Sequence, residues 1–178
     1  MPSDDLLRAI QSRAARIAVG ASTVRGRGHT GTVREARHHF SKMDLRVFGV
    51  APSRFRAVLE RETLRLQAAL PKAARRWGIA RKLLNIFLRD CFYTGQLSEA
   101  YRLATLETEF EIPLDSITAK ALKKTMGRGA LPQWLGVKHL TPELSEVFQT
   151  AALEEAERRG IARVHLDAVW WSLDRDGD

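Results

Sequence analysis

The chain has 178 residues, with 29 lysines and arginines against 21 aspartates and glutamates, a formal net charge of +8. A chain of this length is expected to form one domain over residues 1–178 and to bury a core without disulfides or metal. Its one cysteine, Cys91, excludes a disulfide framework, and no apolar run approaches the ~20 residues of a membrane span. Met1-Pro2-Ser3-Asp4-Asp5 is acidic where a secretory leader would be basic and then apolar, so a cytoplasmic protein is expected. The positive balance speaks about partners, and nucleic acid is the commonest polyanion that such a surface meets.

The predicted elements are helical nearly throughout. Ser3 caps a first helix whose Leu6, Leu7, Ile10, Ala14 and Ile17 recur at helical spacing, and Gly20 ends it. Ser22 to Thr32 is a glycine-rich loop, followed by a helix from Thr32 to Phe40. Pro52 opens a third helix with a buried stripe of Phe55, Leu59, Leu66 and Leu70, which ends before Pro71. Ile79 to Tyr93 is apolar around most of its circumference and is expected at the centre of the molecule, with Cys91 a buried thiol. A helix over Ser98–Glu109 comes next, and Asp115 caps another over Ser116–Lys124. Thr141-Pro142-Glu143 opens a helix that closes at Gly160, with Leu144, Val147, Phe148 and Ala151 on its apolar face. A last helix carries Trp170 and Trp171, and residues 173–178 form a frayed tail.

Two residues are candidates for chemistry. Lys82 stands on the first turn of the apolar helix, where a cation opposes the helix dipole. A lysine amine attacks a sugar carbon only as the free base, a form that desolvation or a neighbouring cation favours; the apolar helix and Arg81 supply both. Asn85, three residues on, is expected to share its face. Asp115, approached through Pro113, presents a fixed carboxylate able to stabilise positive charge on a deoxyribose ring as a base departs. The structural alternatives are a surface lysine and a helix cap worth ~1 kcal/mol.

Gly78-Ile79-Ala80-Arg81-Lys82-Leu83-Leu84-Asn85 and the later Pro113-Leu114-Asp115-Ser116 resemble the helix-hairpin-helix DNA glycosylases, whose motif runs Gly-x-Gly-x-Lys-Thr-Ala-Asn and then Val-Asp-Thr-His. The resemblance covers residues 77 to 122. It puts Lys82 on the family's catalytic lysine, Asn85 on the asparagine that follows, and Asp115 on the catalytic aspartate. The hairpin is degenerate: Gly78 remains, but Ala80 stands where the second glycine belongs. The spacing of 33 residues from Lys82 to Asp115 is similar to the archaeal 8-oxoguanine glycosylase branch. The fold that the resemblance implies is all-α, a compact helical glycosylase-like domain.

Three further groups complete the expected site. Arg25, Arg27 and His29, among the glycines of the 22–32 loop, are expected to face DNA, as are Gly78 and Arg81; a solvated connection is the equal alternative for the loop. Asp167, Trp170 and Trp171, with Asn85, are expected to shape a pocket for an extruded base, although paired tryptophans more often close a core. The five histidines and Cys91 have no zinc or iron–sulfur spacing, so no cofactor is expected.

The expected function is therefore excision of a damaged or modified base from double-stranded DNA by a monomer. Lys82 acts as nucleophile or as a positive charge, and Asp115 assists. The base is an oxidised purine or a bulky modified cytosine such as the glucosylated hydroxymethylcytosine of phage DNA, the latter implying antiviral defence rather than repair. The alternative is a helical module that binds DNA or RNA without chemistry.

Overall fold

The computed structural model describes residues 2–20, 23 and 31–175, with side chains through residue 170. Arg25, Arg27 and His29, and the side chain of Trp171, lie outside the described residues. Among those described, the chain forms eight α-helices and no strand: α1 (Asp4–Ala18), α2 (Thr32–Lys42), α3 (Pro52–Ala69), α4 (Trp77–Tyr93), α5 (Gly95–Ala100), α6 (Ser116–Met126), α7 (Pro142–Arg159) and α8 (Leu166–Arg175). None of the described helices is long and apolar enough to cross a membrane.

The helix ends follow local chemistry. The Ser3 hydroxyl accepts from the Leu6 amide, the Thr141 hydroxyl accepts from the Leu144 amide, and Gly160 closes α7 at φ 65°. Two sequence-based expectations are corrected. Leu6 and Ile17 of α1 are exposed, whereas Leu7, Ala14, Ala15 and Ala18 make its buried face. The helix expected over Ser98–Glu109 is broken: α5 stops at Ala100, Arg102 turns at φ 56°, and a 3-10 turn covers Leu103–Leu106. A straight helix would put Leu97 and Leu106 about 180° apart. The break lets Leu97, Leu103 and Leu106 all be buried.

α4 is the centre. Leu83, Leu84, Phe87, Leu88 and Cys91 are buried in one hydrophobic cluster with residues from α1, α2, α3 and α7. Phe87 stacks on Phe40 of α2 with ring centroids 4.3 Å apart. α1 is tied to the end of α2 by Gln11, whose buried amide donates to the Phe40 and Met43 carbonyls at 2.7 Å each.

Gly78, in the first turn of α4, is a packing residue. A Cβ placed there would lie 2.6 Å from the Leu140 Cβ and closer still to the Val137 carbonyl oxygen, because the 137–140 turn rests directly on the helix. Its face is therefore covered by protein, which corrects the expectation that it contacts DNA. Alanine is worth ~1 kcal/mol more than glycine as a helix former, but the facing backbone cannot rotate aside as a side chain can. Gly78→Ala should therefore lower stability by about 1–3 kcal/mol. A urea midpoint that rises in this variant would show that the turn yields freely.

Candidate active site

The approach to Asp115 is held from two sides. Residues 110–114 form neither helix nor strand, with Phe110, Ile112 and Leu114 buried. Gln149 of α7 pairs with both backbone groups of Ile112, its amide donating to the carbonyl at 2.8 Å and its oxygen accepting from the N–H at 3.2 Å. Arg163 donates to the carbonyls of Phe110, Glu109 and Gln149. On the α4 side, Glu111 accepts from Arg81 Nε at 3.0 Å and from Asn85 Nδ2 at 3.0 Å. Arg81 also donates to the Thr63 hydroxyl at 2.7 Å, lies 3.4 Å from Glu60, and sits over the Trp77 ring.

This network fixes the register between α4 and the start of α6, and it brings the two expected chemical residues together. Lys82 Nζ lies 3.3 Å from Asp115 Oδ2, with 9% and 26% of the two side chains exposed. The aspartate divides its oxygens. Oδ1 caps α6, accepting from the Ile117 and Thr118 amides at 2.9 and 3.1 Å, which leaves Oδ2 for the lysine. Lys82 also reaches the Thr23 carbonyl, 3.5 Å away.

Both residues line a cleft of about 610 Å³ bounded by α1, α4, α6 and α8. The α4 residues that face it are Lys82, Ile86, Arg89, Asp90 and Tyr93, spaced as one stripe of the helix. Arg89 donates to Asp167, and to Asp90 Oδ1 through Nε and Nη2 at 3.1 and 2.9 Å. At the rim the Tyr93 hydroxyl lies 2.8 Å from His165 Nδ1, and His165 Nε2 lies 2.7 Å from Glu107. Among the described residues two cations, Lys82 and Arg89, thus face three carboxylates, Asp90, Asp115 and Asp167. An excess of carboxylates in a half-enclosed cleft favours positive charge that develops there.

The remaining expected site residues divide. Asp167 is in the cleft. Asn85 and Arg81 are not: both are buried and committed to Glu111, so they position Lys82 and Asp115 rather than touch a base or a phosphate. Helical spacing explains the correction, since Arg81 and Asn85 are four apart and share the face next to that of Lys82. Trp170 is 7% exposed and lines a neighbouring groove on the far side of α6, outside the cleft. Sequence reasoning missed Arg89, Asp90 and Tyr93, although extending the Lys82 stripe along α4 leads to all three.

Burial is the main influence raising the Asp167 carboxyl above an ordinary aspartate. Arg89 and Lys82 pull it back, while Asp115 and Asp90 add to the rise. Burial likewise raises Asp90 against the pull of Arg89, and it raises the Cys91 thiol well above its usual value, as suits an inert buried sulfur. Because folded Asp167 takes up its proton at higher pH than the unfolded chain, its stabilising contribution is complete below the ordinary aspartate value of about 3.9 and is lost as pH rises through the folded value. Asp167→Asn removes this dependence. Wild-type stability, measured relative to Asp167→Asn by urea unfolding, should fall as pH is raised from about 3.9 towards neutrality. A difference that grows in favour of wild type over that window would reverse the sign.

No family model matches the chain, and comparison with curated proteins and with solved structures likewise finds no match.

Proposed function

We propose that the protein is a DNA glycosylase that extrudes one damaged or modified nucleotide from duplex DNA into the cleft beside α4 and cuts its N-glycosyl bond. The observation that carries this reading is the Lys82–Asp115 pair, 3.3 Å apart at the wall of a cleft of about 610 Å³. That volume falls in the range of small-molecule sites and suits a flipped base with its sugar. The motif resemblance over residues 77 to 122 and the net charge of +8 support the same reading.

As the base leaves with the bonding electron pair, positive charge develops on the deoxyribose ring. Asp115, fixed by its cap bonds, stabilises that charge. If Lys82 is the nucleophile, its amine forms a bond to C1′ as the bond to the base breaks, and Asp115 is the acceptor within reach of the proton that the ammonium must shed. If Lys82 acts only as a charge, water attacks instead and an intact abasic site remains. Asp167, next to Arg89, can accept from the edge of the extruded base. An oxidised purine and a glucosylated hydroxymethylcytosine are the substrate classes to compare.

The competing module without chemistry calls for Lys82 and Asp115 apart on open surface, and their half-enclosed pairing favours the catalytic reading. The test is a panel of duplexes, each with one modified base, incubated with the protein and then probed for abasic sites. Release from at least one duplex is expected. Tight binding across the panel with no abasic site in any duplex would support the module instead.

A further inference from the structure

A second groove, of about 670 Å³, runs along the other side of α6, between that helix, the end of α7 and α8. Among the described residues its lining includes Lys120, Lys124 and Arg159 and no acidic residue. A groove of similar size beside α7 differs in this respect, since Glu143, Glu146 and Glu154 outnumber its one arginine, Arg56. Lys120 and Lys124 are exposed and have no acidic partner among the described residues, while Arg159 is shared with the buried Glu155 at 2.6 Å. A lysine in the last turn of α6 complements the helix dipole, which accounts for Lys124. It does not account for Lys120 in the middle of the helix.

The groove adjoins the candidate active site. Ile117, 39% exposed, lines both, so the first turn of α6 is the partition between them. Asp115 caps that turn on the cleft side. Lys120 and Lys124 follow on the groove side, about 6 Å apart along the helix axis. That separation allows two cations on one helix face to meet neighbouring phosphates of one strand. Trp170, nearly buried, forms a rigid wall rather than a stacking platform.

We propose that this groove binds the phosphodiester backbone of the DNA strand whose base enters the cleft, with Lys120 and Lys124 as phosphate contacts and Ile117 at the lip beside the extruded nucleotide. The assignment rests on the glycosylase reading for the identity of the strand. Such contacts hold the duplex in register and carry no sequence preference of their own.

The experiment is fluorescence anisotropy with an unmodified fluorescein-labelled duplex over a salt series, comparing wild type, Lys120→Gln/Lys124→Gln and Lys42→Gln/Lys72→Gln. The last pair removes the same charge from exposed positions outside the groove. With a slope of about −0.9 per phosphate neutralised, the groove pair should flatten the log–log salt dependence by about two units and the control pair should not. Equal slopes in wild type and the groove pair, or equal flattening by both pairs, would overturn the site. Tighter binding of an RNA strand than of DNA at every salt concentration would overturn the ligand. Abasic-site assays on the modified duplexes separate the two ideas. Base release with an unchanged slope in the groove pair removes the groove and keeps the glycosylase, whereas a flattened slope with no release from any duplex keeps the groove as a DNA site and removes the glycosylase.

Discussion

Asp115→Asn should fold, bind DNA with wild-type affinity, and release base about 10²–10³-fold more slowly than wild type from any duplex on which wild type is active. The asymmetry of the carboxylate is the reason. Oδ1 carries the helix cap and Oδ2 faces Lys82. Asparagine keeps an acceptor for the cap, so α6 stays in place, but it presents no negative charge to the sugar. Single-turnover base release, with a thermal melt as control, reads the effect. Full activity in Asp115→Asn would remove this residue from the chemistry. Lys82→Ala then separates the two forms of the mechanism. A nucleophilic lysine gives a covalent adduct that borohydride traps in wild type and not in the variant. An electrostatic lysine gives no adduct in either, and wild type leaves intact abasic sites.

Phe87→Ala should destabilise the protein by about 3–5 kcal/mol. Phe87 is fully buried and stacked on Phe40, so truncation removes an aromatic ring from the contact between the central helix and α2 and leaves a cavity. The urea midpoint should fall with little change in slope, since the folded and unfolded surfaces are otherwise the same. A loss below about 1 kcal/mol would mean that α4 repacks readily. Phe87 is not among the residues that line the cleft, so the variant that remains folded at low temperature should keep its DNA affinity.

The central helix and the cap at Asp115 were legible from local rules. An apolar residue on nearly every side from Ile79 to Leu88 leaves a helix no stable place except the interior, and an aspartate before a helical run satisfies the free amides of the first turn wherever the chain lies. The interruption after Ala100 was not legible. Nothing in the residues near Arg102 breaks a helix, and the break follows from burying Leu97, Leu103 and Leu106 together.

The same division runs through the candidate site. The sequence by itself determined that the chain is helical, that Lys82 lies on a buried helix and that Asp115 caps another, because period, caps and composition act over a few residues. The helix begins at Trp77, so Lys82 stands in its second turn and not in the first as the sequence suggested. Only the tertiary structure decided that these two side chains, 33 residues apart in sequence, meet at 3.3 Å. It also decided that Arg81 and Asn85 serve as buried struts on Glu111, that Arg89 and Asp90 complete the cleft, and that Trp170 stands outside it. A charged residue at a helix start has the same local pattern whether it faces a cleft, a partner carboxylate or solvent. Which of these it meets depends on the neighbouring elements, here the 110–114 segment pinned by Gln149 and Arg163, and those contacts are set by packing between parts of the chain far apart in sequence.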